Sequence, residues 1–434
     1  MKYYSTNHQA PDADLRDAII KGLAPDKGLY MPERLPQLPA DFFERMDRLS
    51  FQEIAGEVAV NLLGEDVPEV TLRNIVADAL NFDIPVVPVA DRIHAMELFH
   101  GPTLAFKDVG ARFMARLLRH FIGEDEGEQK TINVLVATSG DTGSAVANGF
   151  LGVEGIHVYV LYPNGKVSPL QEMQFTTLGR NITAIAVDGT FDDCQALVKS
   201  AFMDDELQRG MKLTSANSIN LGRLIPQSFY YFYAYAQMKR MTDQLVICVP
   251  SGNFGNLAAG LMAWKMGLPI RRFIAANNRN DVFYQYLQTG GYHPRPSIAT
   301  IANAMDVGAP SNFARIQALF DGDINQIRAL ISGATYSDDE ICQTIRKVYE
   351  TNRYLLDPHG ACAYLALEEQ LMDGEHGVFL ETAHPAKFND TIARVIGRQP
   401  IIPDRLQAFM NGMKQTVQME NDFSTFKSFL LNRR

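Results

Sequence analysis

The chain has no surplus of basic residues. Its 40 Lys and Arg stand against 50 Asp and Glu, a formal net charge of −10, which argues against a nucleic-acid binder with its basic face. A few local cations still suffice to hold an anionic small molecule. Cysteine is scarce and scattered: Cys194, Cys248, Cys342 and Cys362 form no CxxC pair and no metal-ligand spacing. They read as reduced thiols, three of them in apolar surroundings, rather than as a zinc site or a disulfide framework. No uncharged apolar run reaches the roughly 18 residues of a transmembrane helix. The opening MKYYSTNHQAPDADLRDAII has early charges and no apolar core, so it is not read as a signal peptide and the protein is expected in the cytoplasm. There is no internal repeat, no low-complexity tract, no GxGxxG and no P-loop, so dinucleotide and nucleoside-triphosphate readings lack their signatures.

What is present is an ordinary globular composition, 46% hydrophobic and 21% charged over 434 residues, long enough for two or three domains with sizeable cores. Residues 1 to about 90 read as mostly helical, with polar and apolar positions interleaved as in FQEIAGEVAVNLL (51–63), and PERLPQLPADF (32–42) reads as a loop leading into a helix. From about residue 131 short apolar runs alternate with helical segments. The runs are INVLVATS (132–139), IHVYVLYP (156–163), QLVICVPS (244–251), RRFIAANN (271–278) and HGVFLETA (376–383). Continuous rather than alternating apolarity suits strands buried on both faces. Helices are expected between them, one opening at the cap pair Ser168-Pro169 and one over 224–240. The order predicts an α/β fold with parallel sheets covered by helices, in which ligands bind beyond the carboxyl ends of strands.

Six polar strings fall at such places. In HGPTLAFKDVGARF (100–113), Lys107 follows Leu104-Ala105-Phe106 and opens a helix; an apolar setting favours the neutral amine, which forms Schiff bases. TSGDTGSA (138–145) follows a strand, and its small residues expose backbone N–H groups suited to a carboxylate or phosphate. PSGNFGN (250–256) also lies between strand and helix; Gly252 and Gly255 permit close backbone approach, Ser251 adds a hydroxyl, and the loop reads as a phosphate cradle. SANSINLGR (215–223) offers neutral hydrogen bonds from Asn217 and Ser218 and the planar fork of Arg223. ETAHPAKF (381–388) offers the Thr382 hydroxyl and two candidate cations, His384 and Lys387. For NAMDVGAPSNFAR (303–315) no role follows from the residues. Each string has a plain structural alternative: a solvated lysine at a helix start, a tight turn, a polar loop, a surface arginine, a structural histidine.

In combination and order, the strings HGPTLAFKD, ATSGDTG, YPNGKVSPLQ, NSINLGR, VPSGNFGN, AMDVGAPSNF and TAHPAKF, which span residues 100–388, resemble the threonine synthase family among fold-type II pyridoxal-phosphate enzymes. KGLAPDKGLYMPERLP (21–36) resembles the opening of the bacterial and fungal branch. SGxTG alone is shared with dehydratases and cysteine synthases; HGPTLAFKD with TAHPAKF is the specific pair. The resemblance implies a tryptophan synthase β-like fold in three parts: a family-specific N-terminal domain (1–90), a large cofactor domain (91–130 and 226–434) and a small α/β domain (131–225). It implies pyridoxal 5'-phosphate as cofactor, no metal, a small-molecule substrate, O-phospho-L-homoserine, no membrane partner, and a monomer or homodimer.

By matched motif, Lys107 is implied as the Schiff-base and catalytic lysine, with Phe106 packing beside it. Ser251, Gly252, Asn253, Phe254, Gly255 and Asn256 are implied as the cofactor phosphate loop and Thr382 as the partner of the pyridine nitrogen. Ser139, Asp141, Thr142 and Gly143 are implied at the substrate carboxylate, Asp141 standing where many relatives have Asn and also within reach of the cofactor ring. Asn217, Ser218, Arg223 and Lys387 are implied at the substrate phosphate. The implied reaction, the last step of threonine biosynthesis, removes a Cα and then a Cβ proton, expels phosphate from Cγ, adds water at Cβ and reprotonates Cα. Three alternatives stand beside it: a phospholyase or dehydratase giving 2-oxobutyrate, a non-catalytic pyridoxal-phosphate binder, and a dehydrogenase on fold grounds alone. A dehydratase has no use for the second anion site in NSINLGR, and a storage protein has no use for any substrate motif.

Overall fold

A computed structural model describes residues 1–123 and 131–433; the expected domain edge at residue 130 lies outside them. The chain forms two compact units, one of residues 1–32, 107–223 and 402–434, the other of 33–106 and 224–401. Neither the N-terminal 90 residues nor the C-terminal segment follows the expected spans: residues 1–32 and 402–434 pack with the small α/β segment, and 33–90 with the larger one.

The first unit is built on a five-stranded parallel sheet in the order Val417–Glu420, Ile182–Asp188, Ile156–Pro163, Ile132–Ala137, Lys212–Ser215. Ile132–Ala137 is buried along its whole length, as its unbroken apolar run requires when helices cover both faces. Leu135, Leu161, Ile185, Leu197 and Phe426 meet in one of its cores. The helix Pro169–Thr176 starts as expected, with Ser168 accepting from the Gln171 N–H and Pro169 in the first turn. A small antiparallel pair, Tyr3–Ser5 with Tyr30–Pro32, belongs to this unit.

The second unit carries a six-stranded sheet in the order Ile331–Thr335, Arg272–Asn277, Leu245–Pro250, His376–Glu381, Ile93–Glu97, Val86–Ala90. All neighbours are parallel except the last pair, an antiparallel hairpin. The helical part of the N-terminal segment, Ala40–Arg45, Phe51–Leu63 and Glu69–Ala79, packs here. Phe51–Leu63 opens with a capping box between Ser50 and Glu53. The helix expected over 224–240 is instead a short turn Leu221–Leu224, a 3-10 turn Ile225–Ser228 and a helix Phe229–Met238; Pro226 has no N–H to continue a regular ladder.

Both sheets share one topological device. In the first, successive strands run outward from Ile132–Ala137 to one side, and the chain then returns to place Lys212–Ser215 on the other side. In the second, strands run outward from Leu245–Pro250, and His376–Glu381 returns to its opposite side. At such a switch point the loops leaving two neighbouring strands diverge and open a crevice at the carboxyl ends.

All four cysteines are free thiols, with Cys194, Cys248 and Cys362 buried. Burial pushes the Cys194 thiol up to about 12, which leaves it unreactive. No helix among the described residues is long and apolar enough to cross a membrane.

Candidate active site

The candidate residues divide between the units, and the division falls at the Phe106–Lys107 peptide bond. In the larger unit the switch-point strands Leu245–Pro250 and His376–Glu381 end in the PSGNFGN loop and in Thr382. Their paired register ends at Phe379 with Cys248, three residues before Thr382 on one strand and Ser251 on the other. The Ser251 hydroxyl donates to the Val249 carbonyl at 2.8 Å, and the Asn277 amide donates to the Ser251 carbonyl at 2.7 Å. Phe254 sits in the left-handed region at φ 61° and leads into the helix Gly255–Lys265 with no side-chain cap. A non-glycine residue there stores strain, a feature that concentrates at ligand sites. A Cβ on Gly252 would lie 2.7 Å from the Met305 Cα and 2.9 Å from the Ala304 carbonyl oxygen, so only glycine fits.

The hydroxyls of Tyr230 and Tyr231 donate to the Asn256 Oδ1 at 2.5 and 2.8 Å. This fixes the amide so that the buried Nδ2 has no partner among the described residues. An uncapped helix start, a glycine that no side chain can replace and an oriented buried amide donor together fit a phosphate group. Burial pushes both tyrosine hydroxyls well above their ordinary range, so they stay protonated as donors.

The segment before Lys107 is tied to the Thr382 strand end. Ala105 bridges Ala383, the Phe106 N–H donates to the Thr382 carbonyl at 2.9 Å, and the His384 N–H donates to the Leu104 carbonyl at 3.1 Å. Leu104 takes φ 56° to make the turn. Lys387 is buried and its ammonium donates to the Thr103 carbonyl at 2.9 Å. His384, expected as a candidate cation, is not one. Burial first, then the nearby His100, pulls it down to about 4, and its Nδ1 accepts from the Ala386 N–H at 3.1 Å. It is a neutral cap of the turn Pro385–Phe388.

In the smaller unit the switch-point strands Ile132–Ala137 and Lys212–Ser215 lead into the other two loops. The Thr138 hydroxyl accepts from the Gly140 and Gly143 N–H groups at 3.0 and 2.8 Å, folding Ser139–Gly143 into a tight turn. Gly140 takes φ 146°, and the helix Asp141–Phe150 starts without a side-chain bond from its own cap position, the Gly143 N–H in its first turn being met by Thr138. The Gln171 amide donates to the Asp141 Oδ1 at 2.9 Å. Across the switch point, Asn217 and Ser218 are half-buried, and the Asn217 Oδ1 has no partner among the described residues. Arg223 lies beneath them, buried, donating to the Ala216 carbonyl at 2.6 Å. Burial pulls its guanidinium down to about 10 and Asp108 opposes this, so it stays a cation at neutral pH. Lys107 opens the helix Lys107–Gly123 and is half-buried. At Gly110 that helix touches the Arg223 backbone, where a Cβ would sit 2.7 Å from the carbonyl oxygen.

A family model described as a pyridoxal-phosphate dependent enzyme matches residues 88–380; models of a threonine synthase N terminus and C-terminal part match 2–80 and 360–430. A threonine synthase of Haemophilus influenzae is 44% identical over 99% of this chain and 100% of its own length. The chain belongs to the threonine synthase family. A threonine synthase of Escherichia coli is 42% identical over the whole of both chains. Among solved structures, threonine synthase from Escherichia coli superposes with a TM-score of 0.93, covering 100% of both chains. Pyridoxal-phosphate-bound threonine synthase from Brucella melitensis superposes at 0.94 with 34% identity, covering 100% of this chain and 99% of that one. A tomato threonine deaminase, 15% identical with a TM-score of 0.56, shares the fold alone. This is therefore a fold-type II, pyridoxal-phosphate-dependent lyase of the threonine synthase family, as the motifs implied.

Sequence reasoning passed over several residues that shape these loops. Thr138, Gln171, Tyr230 and Tyr231 act through the residues they orient, and Gln171 lay inside a quoted string without a role. Asp357 and His359, distant in sequence from every named motif, reach the strand end through Ala383. Leu104 has no composition signal for its left-handed turn.

Proposed function

We propose that this chain converts O-phospho-L-homoserine and water into L-threonine and phosphate, and that it does so in the cytoplasm as a monomer or homodimer. The observation that carries the substrate is the pair of anion-suited loops flanking one switch point, Ser139–Gly143 and Asn217–Arg223. A substrate with a carboxylate and a phosphate needs both; a dehydratase substrate needs one.

Pyridoxal phosphate, when bound, supplies the electron sink that stabilises charge left at Cα. Ser251 to Asn256 would hold its phosphate, Thr382 its pyridine nitrogen, and Lys107 its aldehyde carbon, with Phe106 packed beside it. A neutral hydroxyl at the nitrogen does not demand that the ring be protonated, unlike a carboxylate. Ser139, Thr142 and Gly143 bind the substrate carboxylate, with Asp141, whose Oδ1 accepts from the Gln171 amide, on the same turn. Asn217, Ser218 and Arg223 bind the phosphate, and Lys387, through Thr103, steadies the segment leading to Lys107. The Lys107 amine, when free, takes the Cα proton, gives it up, and, neutral again, takes a Cβ proton. Phosphate leaves from Cγ toward Arg223, a proton is returned at Cγ, water adds at Cβ, and a proton is returned at Cα.

The test is an NMR assay of purified protein with pyridoxal phosphate and O-phospho-L-homoserine in deuterated water. The expected product is threonine deuterated at Cα and at the methyl carbon, with equimolar phosphate. 2-Oxobutyrate in its place, or no turnover with cofactor bound, would overturn the assignment.

A further inference from the structure

The loop 303–315 has no role in the scheme above, yet the structure binds it to the cofactor loop and to the strand end that carries Thr382. The Ser311 N–H donates to the Asn253 Oδ1 at 2.6 Å, and the Asn312 N–H donates to the Asn253 carbonyl at 3.3 Å. Ala304 and Met305 form the wall against Gly252. Behind them the Ala304 N–H donates to the His359 Nε2 at 3.2 Å. His359 Nδ1 lies 2.5 Å from the Asp357 Oδ1, and the Ala383 N–H donates to the Asp357 Oδ2 at 3.3 Å. Asp357 also caps the helix Pro358–Gln370 through the His359 and Gly360 N–H groups.

Both side chains are wholly or almost wholly buried. Because Nε2 accepts from a backbone N–H, the ring proton must sit on Nδ1, where Asp357 takes it. The ring of Phe388 packs edge-on at 5.0 Å and fixes the imidazole plane. A single buried pair thus spans from the residue after Thr382 to the wall of the phosphate loop.

We propose that Asp357 and His359 are positioning residues that couple the two ends of the cofactor site, the Thr382 end and the Gly252–Asn253 end, through the loop 303–315. The inference rests on the cofactor assignment made above. It implies that loading the phosphate loop tightens hydrogen bonds at amides that have no role in holding the cofactor itself.

Two measurements test it. In the native protein, hydrogen exchange of the Ala304, Ser311, Asn312 and Ala383 amides should slow when pyridoxal phosphate is added, together with those of 251–256. In His359→Asn, which keeps a donor for Asp357 but cannot reach Ala304, the dissociation constant for pyridoxal phosphate should rise roughly three- to tenfold, the loss of about one net hydrogen bond. The melting temperature of its cofactor-free form should fall, because the Ala304 N–H loses its acceptor, so the dissociation constant is measured well below that transition. His359→Gln, which places an acceptor at the Nε2 position, should recover much of that affinity. Protection confined to 251–256, or a native dissociation constant in His359→Asn, overturns the coupling while leaving the cofactor assignment intact. If the native protein does not bind pyridoxal phosphate, the assignment falls and the coupling with it.

Discussion

Arg223 sits where burial alone would favour its neutral form, yet at about 10 it remains charged at neutral pH, with Asp108 as its counter-charge. Truncating it should remove a charge-assisted contact to the substrate phosphate, about 1.5–3 kcal/mol. Arg223→Ala should lower kcat/KM roughly ten- to a hundredfold, and steady-state kinetics with O-phospho-L-homoserine would show it; a native value would return Arg223 to a loop-holding role. Two neighbouring residues at the Thr382 strand end titrate in opposite senses. His384 is pulled down from 6.5 to about 4, so between those values the unfolded chain binds more protons and stability rises with pH. That contribution, up to about 3 kcal/mol, is lost as pH falls from 6.5 toward 4. Glu381, wholly buried and beside Asp357, is pushed well above its usual range. Above about 4.5 the folded state therefore holds the extra proton, and stability falls with rising pH. Denaturation curves across pH 4–8 should show His384→Asn removing a rising slope and Glu381→Gln removing a falling one, with Glu381→Gln the more stable protein at pH 7.

At the scale of elements, the site depends on how two loops leave two adjacent strands. The phosphate loop has no room for a side chain at Gly252, because the obstructing atoms belong to the backbone of Ala304 and Met305 and do not swing aside. Gly252→Ala should push the loop 303–315 off the cofactor loop, destabilising the protein by about 1–3 kcal/mol and weakening pyridoxal-phosphate binding. Chemical denaturation and a cofactor titration measure the two effects. The positions of PSGNFGN and TSGDTGSA were legible because each puts glycines between an apolar run and a helix, and each does lie between a buried strand and a helix start. The role of 303–315 was not legible, since its partners, Asn253 and His359, lie 50 residues or more away along the chain. Strands were read where burial on both faces made the run continuous. Val417–Glu420 and Val86–Ala90, edge strands with exposed and half-buried positions, gave no such run. Lys212–Ser215 is only four residues long.

For the whole molecule, the cofactor is a ligand of the folded state alone, so it must raise apparent stability by mass action. Pyridoxal phosphate at a hundredfold excess over its dissociation constant should stabilise the native protein by about 2.7 kcal/mol, visible as a concentration-dependent melting temperature. Lys107→Ala, without the covalent link, should show a smaller shift, no Schiff-base absorbance and no turnover; a native-like shift and spectrum would remove Lys107 from the role assigned to it. The chain passes from one compact unit to the other at Lys107, so Phe106 ends one set of candidate groups and Lys107 begins the other.

The sequence by itself determined the chemistry on offer: a lysine after an apolar tripeptide, two glycine-rich turns, an arginine in a polar loop and a hydroxyl at a strand end. These are local patterns, fixed by residue type and by neighbours a few positions away. Only the tertiary structure decided which loops share a switch point, because strand order depends on pairings between residues more than a hundred positions apart, such as Phe379 with Cys248. It also decided that His384 is neutral and that Arg223 is buried, because charge state and exposure depend on what packs against a group. The Asp357–His359 link exists only because a helix cap meets a strand end and a residue of that helix's first turn meets a distant loop, an arrangement no spacing in the sequence encodes.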